Sequence, residues 1–290
     1  MSSSTALLPK DRKKTDHPIF LRITHSPWVI IDQKTLVSLQ FIVSVYLTGS
    51  LILIANYDVE QNQIGWSTVF NFSNIAYFMQ ALYSWIAFSW TFMHLHYPHH
   101  DTQPRSFSTR LQAMFSPPRQ NQTTHNRAWF SIFYYAVNSF PFLAAGVQWL
   151  VLIPNNQSVV PGNEIFGNGR FREFYFVSKY AVNSLIALME ITMFSSIKRA
   201  DALWAHIFGI TALSLLYTGW AYVGNAVTGR FEYYFLDPEV EGWDNASASI
   251  MAFAGAANFA LFIAYVLTAI RERLSTTREE RTGGYESLPR

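Results

Sequence analysis

The chain contains no cysteine in 290 residues, so no disulfide can staple it and no thiolate can serve as nucleophile or metal ligand. Charge is nearly as scarce, at 14% of residues, and it is unevenly spread. A soluble domain scatters its charges, whereas here they cluster between long uncharged runs, the pattern of a polytopic membrane protein. A phosphate-cradling glycine loop, a nucleotide fingerprint and a basic stripe with interleaved aromatics are all missing, which sets nucleotide and nucleic-acid binding aside. The first 34 residues are polar and basic, without the short apolar core of a cleavable leader, so the first apolar run is expected to direct insertion. No internal repeat of the transporter kind is visible.

Half of the residues are hydrophobic. A helix needs about 20 mostly apolar residues to cross the hydrocarbon core. Six segments qualify: Leu36 to Asn56, Thr68 to Met93, Ala128 to Ile153, Phe174 to Ile197, Ala202 to Val227 and Ala246 to Ile270. Only the fourth carries formal charge, Lys179 and Glu190. Pro141 is expected to kink the third. The sixth is rich in small residues (Ala252, Ala254, Gly255, Ala256, Ala257, Ala260) that permit close helix approach.

With six spans, seventeen Lys and Arg residues fall on the side of the termini and three on the other, Arg170, Arg172 and Arg230. The positive-inside rule therefore puts both termini in the cytosol. Two glycosylation sequons, at Asn156 and Asn245, then lie on the outer side. Residues 271–290 are rich in Arg, Glu, Ser, Thr and Gly and are expected to be a disordered tail, in which Tyr285 to Leu288 matches a tyrosine sorting signal only as loosely as any four residues can.

At about 1.5 Å per residue, Ser73 on the second span, Lys179 and Tyr180 on the fourth, and Tyr217 and Trp220 on the fifth reach a common layer near the outer face. Tyr233 and Asp237 follow in the outer loop. The fifth span and this loop read Tyr217-Thr218-Gly219-Trp220, then Val227-Thr228-Gly229, then Tyr233-Tyr234-Phe235-Leu236-Asp237-Pro238. That string resembles the signature of the androgen-induced and androgen-dependent multi-pass membrane proteins, the family that includes rolling stone. The resemblance covers roughly residues 36 to 270. It implies a hydrolase of fatty acid esters of hydroxy fatty acids, using a membrane-embedded Thr and His. Ser73, seven residues before Gln80, matches the family Thr; Tyr180, ten before Glu190, stands where the family has its His.

Ser73 is thus the candidate nucleophile, and a serine needs a base beside it. Lys179, if held neutral by desolvation, can supply one; the alternative is a lysine that snorkels to the headgroups or forms a structural ion pair. Ser73 has its own alternative, a hydroxyl bonded to the backbone of its helix. Asn183, Tyr217 and Trp220 are the candidate substrate-binding residues, while Asn74 and Asn183 can equally bond neighbouring helices. Glu190 and His206 fall at similar depths near the inner face, and a contact between them is expected, because an unpaired carboxylate in a membrane is costly.

His96-Tyr97-Pro98-His99-His100 matches one histidine box of membrane di-iron enzymes, but those enzymes need several, and Pro98 disfavours the helix that would align the rings. With His94, His125 and Asp101 the run is expected to be an interfacial polar turn, and no metal or other cofactor is assigned. Aromatics, at 17%, are expected to form interfacial belts through Trp66, Trp129, Trp149, Trp220 and Trp243, with packing deeper in the helices.

The expectation is therefore an all-α, six-helix polytopic transmembrane bundle with both termini cytosolic. Residues 1–34 form a basic tail, 35–270 the membrane domain and 271–290 a cytosolic tail. The protein is expected to be integral to the endomembrane system or plasma membrane. Its expected partner is a membrane lipid or lipid ester and not nucleic acid; it is either a lipid ester hydrolase or a non-catalytic scaffold or lipid binder.

Overall fold

Apolar runs this long wind into helices because a backbone buried in lipid must satisfy its own hydrogen bonds. The computed structural model describes residues 19–60, 65–97, 107–118, 126–158, 170–199 and 202–281, and among these the regular elements are all helical. In chain order they are α1 (Ile19–Arg22), α2 (Gln33–Glu60), α3 (Phe72–His96), α4 (Phe107–Phe115), α5 (Asn126–Gly146), α6 (Arg170–Val177), α7 (Asn183–Met189), α8 (Leu203–Thr228), α9 (Pro238–Glu241) and α10 (Trp243–Arg281). A 3₁₀ segment, Gly65–Phe70, precedes α3. A π turn, Val147–Leu152, extends α5, and further π turns at Ser178–Val182 and Glu190–Phe194 flank α7.

Four stretches among the described residues are long and apolar enough to cross a membrane: Gln33–Val59, Ala128–Leu152, Leu203–Thr228 and Trp243–Ser275. Helix α3 is as long as these but more polar, because Ser73, Gln80, Ser84 and Thr91 on its buried face meet other helices instead of lipid. The charged fourth stretch is one run of helix from Arg170 to Phe194, widened by the two π turns. Within it Lys179 sits in the first widening and Glu190 opens the second.

Helix α3 packs against α2 and α5, α5 against α7, and α10 against α5 and α8. Of the small residues of the sixth apolar stretch, Ala254, Ala257 and Ala260 are buried in these contacts, whereas Ala252, Gly255 and Ala256 face outward. Helix α5 runs through Pro141, whose carbonyl accepts a hydrogen bond from Ser184 Oγ at 3.0 Å.

A helix leaves its last carbonyls unsatisfied, and at the Phe194 end these are taken by distant segments. Trp28 Nε1 donates to Thr192 O at 2.6 Å and Ser26 Oγ to Met193 O at 2.6 Å. Arg271, 2% exposed, donates to the carbonyls of Ile191, Ser195 and Ile197. A guanidinium suits this place both as a fork of donors and as a cation at a helix C-terminus. Helix α10 accordingly does not stop at residue 270, where the charged tail was expected to leave the bundle, but continues to Arg281. Before α2, the Asp32 carboxylate accepts from Thr35 N at 3.1 Å, and this cap holds its pKa below the usual carboxylate value.

Candidate functional site

The site begins at the turn into α3. Asn71 is the N-cap, its Oδ1 accepting from Ser73 N at 3.0 Å, which fixes Ser73 in the first turn of the helix. The preceding 3₁₀ segment is held by the Tyr-x-x-Trp part of the signature. Trp220 Nε1 donates to Val69 O at 3.1 Å and Tyr217 OH to Phe70 O at 3.2 Å. One turn on, Gly224 lies against the Phe70 ring so closely that a Cβ there would come within 2.6 Å of it. Tyr217 and Trp220 therefore spend their polar atoms on the backbone that presents Ser73.

The rest of the signature turns the chain back onto the same serine. Gly229 ends α8 in the left-handed region, at φ 74°, which a residue with a Cβ rarely adopts. The chain then returns as Phe231 to Leu236 and places the Tyr233 hydroxyl 3.3 Å from Ser73 Oγ. Tyr233 is 3% exposed, and burial raises its phenol well above the ordinary value, so it stays protonated. Among the described hydrogen bonds, the Ser73 hydroxyl thus bonds to a tyrosine of another segment and not to a carbonyl of its own helix.

Lys179 does not snorkel. Its side chain is fully buried, Nζ donates to Tyr175 OH at 2.8 Å, and it lies 4.8 Å from the centre of the Tyr175 ring and 5.6 Å from that of Tyr180. Two acids lie within electrostatic reach of it, Asp58, 1% exposed near the end of α2 and also within reach of the Tyr175 phenol, and Glu232. Asp58 also accepts from Thr68 Oγ1 at 2.8 Å and Asn74 Nδ2 at 2.9 Å. Lys179 and Ser73 are not directly bonded among the described contacts.

Asn183 lies one helical turn from Lys179 and Tyr180 on the same buried side. It is fully buried, and neither end of its amide has a hydrogen-bond partner among the described residues. Leaving such an atom unpaired costs about 1–3 kcal/mol. A buried amide without a partner among the described residues, one turn from a buried lysine, is a polar group in need of one.

Asp58, Tyr175, Asn71 and Tyr233 complete the site and were not selected from the sequence as site residues. An intramembrane lysine demands a carboxylate, and Asp58, just beyond the first apolar run, was the signal available.

The expected contact between Glu190 and His206 is not formed. Glu190 accepts from Tyr83 OH at 2.7 Å and lies within electrostatic reach of Arg271. His206 Nδ1 is 3.1 Å from Ala202 O, which can only accept, so Nε2 accepts from Ser131 Oγ at 2.7 Å. The two residues share a depth but turn toward different neighbours, Glu190 toward α3 and His206 toward α5. Of the histidine run, His94 packs on His25 and His96 on Phe92, while His99, His100, Asp101 and His125 lie outside the described residues. Among the described residues no group of three or more His, Asp or Glu side chains is placed to hold a metal ion.

Ser73 lies at a helix N-terminus, the positive end of the helix dipole, with the Tyr233 phenol against its hydroxyl. No protein-family model, no curated protein and no solved structure matches the chain.

Proposed function

We propose that this is a six-span membrane protein with both termini cytosolic, and that it binds a lipid ester at the Ser73 layer near its outer face and hydrolyses it. In the proposed reaction Ser73 Oγ attacks the ester carbonyl carbon and its proton passes to a neutral Lys179. The alcohol leaves with that proton, and water then cleaves the acyl-serine. In this reading Tyr233, whose hydroxyl is 3.3 Å from Ser73 Oγ, donates to the oxyanion, and Asn183 holds the ester or headgroup. The observation that supports this reading is a buried serine bonded to the Tyr233 hydroxyl, together with a buried lysine and, one turn from that lysine, an amide with no partner among the described residues. Catalysis by the pair requires Lys179 to exchange its bond to Tyr175 for one to Ser73.

That requirement is also what favours a second reading, a lipid binder without turnover, in which Lys179 and Asp58 remain a structural ion pair. The two are separated by assaying protein in lipid nanodiscs on a fatty acid ester of a hydroxy fatty acid. The hydrolase reading expects turnover that Ser73→Ala abolishes and Lys179→Arg nearly abolishes, because arginine stays protonated and cannot act as a base. Wild-type protein that binds the ester without cleaving it establishes the second reading. The orientation has its own test: in sealed microsomes an added protease should remove the C-terminal tail, and glycosidase should shift the mobility of a form glycosylated at Asn156. A protected tail with glycan at the sequon Asn121-Gln122-Thr123, in the loop after the second span, would reverse it.

A further inference from the structure

Beyond the Ser73 site, the opposite end of the bundle carries a helix whose faces are reversed relative to a soluble protein. In α4 the residues Phe107, Leu111, Met114 and Phe115 fall at positions i, i+4, i+7 and i+8, one stripe of a helix. In a soluble domain such a stripe turns inward. Here Phe107 is 77%, Leu111 40%, Met114 74% and Phe115 47% exposed. The half-buried residues are instead Thr109, Gln112 and Ala113 on the other side, and Ser116 just beyond the helix is buried. The polar and small face rests on the protein, including α3, and the apolar face points away.

Position and charge indicate what covers that face. Helix α3 has 25 residues, and at about 1.5 Å each its His96 end lies across the hydrocarbon thickness from Ser73. Helix α4, packed against α3 and following it in the chain, is therefore placed at the other lipid–water boundary. Arg110 is exposed at the edge of the apolar stripe, and between Tyr97 and Ala128 the sequence holds Arg105, Arg110, Arg119 and Arg127 against one acid, Asp101. Apolar residues on one side and basic residues along the flank are the composition of a helix lying in the plane of an anionic membrane surface.

We propose that α4 lies flat in the headgroup layer at this end of the bundle. Phe107, Leu111, Met114 and Phe115 enter the acyl region, and Arg110 meets the phosphate or carboxylate of anionic phospholipids. Under the proposed orientation this is the cytosolic leaflet, where anionic lipids are concentrated.

The absence of cysteine makes the test direct, because Met114→Cys creates a unique labelling position in the full chain at an exposed site. The variant is labelled with a polarity-sensitive fluorophore and placed in nanodiscs of phosphatidylcholine, with or without phosphatidylserine. The expected result is several-fold stronger quenching by a nitroxide on the lipid acyl chain than by aqueous iodide. Quenching by the nitroxide should rise with phosphatidylserine, and Arg110→Glu in the same background should remove that rise. Strong quenching by iodide would put the face in water and overturn the proposal. Protection from both quenchers would overturn it in favour of a second copy or another protein. Lipid quenching indifferent to phosphatidylserine would overturn the anionic assignment.

Discussion

The hydroxyl of Ser73, in the first turn of α3, lies 3.3 Å from the hydroxyl of Tyr233, 160 residues further along the chain. This contact joins the candidate nucleophile to the turn that follows α8. Tyr233→Phe removes one partner of a buried hydroxyl while keeping the ring, and should lower stability by about 0.5–1.5 kcal/mol. In a thermal-unfolding cycle with Ser73→Ala in detergent, the double variant should lose less than the sum of the singles. Strict additivity would show that the two hydroxyls do not interact.

The buried charges at the site should behave as a pair. Asp58→Asn or Lys179→Met alone leaves one charge uncompensated and should cost about 3–5 kcal/mol, with the double variant recovering much of that loss. Equal and additive small losses would instead mean that each charge is solvated separately.

Gly224 is expected to tolerate no side chain, since a Cβ would meet Phe70 Cγ at 2.6 Å. Gly224→Ala should destabilise by about 1–3 kcal/mol, and the added loss should be smaller in a Phe70→Ala background, which removes the Cγ and Cδ1 atoms that the new Cβ would meet. A neutral Gly224→Ala would show that α8 does not press this closely on Phe70.

Glu190→Gln and His206→Gln should be additive to within about 0.5 kcal/mol, because their hydrogen-bond partners differ. Glu190→Gln and Tyr83→Phe, which share a 2.7 Å hydrogen bond, should couple. The reverse pattern would restore the contact that their common depth suggested.

Helix positions were largely legible in the sequence, because uncharged runs of this length have few other solutions in lipid. That the loop after α8 reaches the level of Ser73 agrees with its depth in the sequence, since helices crossing a layer of fixed thickness must share levels. Which neighbour each side chain turns toward was not legible. Depth put Glu190 beside His206, but rotation about the helix axis turned Glu190 to Tyr83 and His206 to Ser131. Asp58 and Arg271 lay just outside the apolar runs and read as residues of the flanks, yet both are buried, because helices α2 and α10 continue past the end of their hydrophobic stretches.

The central claim, that Ser73 is an attacking hydroxyl in a lipid ester site, is tested most directly by treating the protein in lipid nanodiscs with a fluorophosphonate probe and locating the adduct by peptide mass. Wild-type protein should carry the adduct on Ser73. Ser73→Ala should carry none while keeping a cooperative thermal transition, which shows that loss of labelling is not loss of fold. An unlabelled wild type, or equal labelling in Ser73→Ala, would contradict the claim.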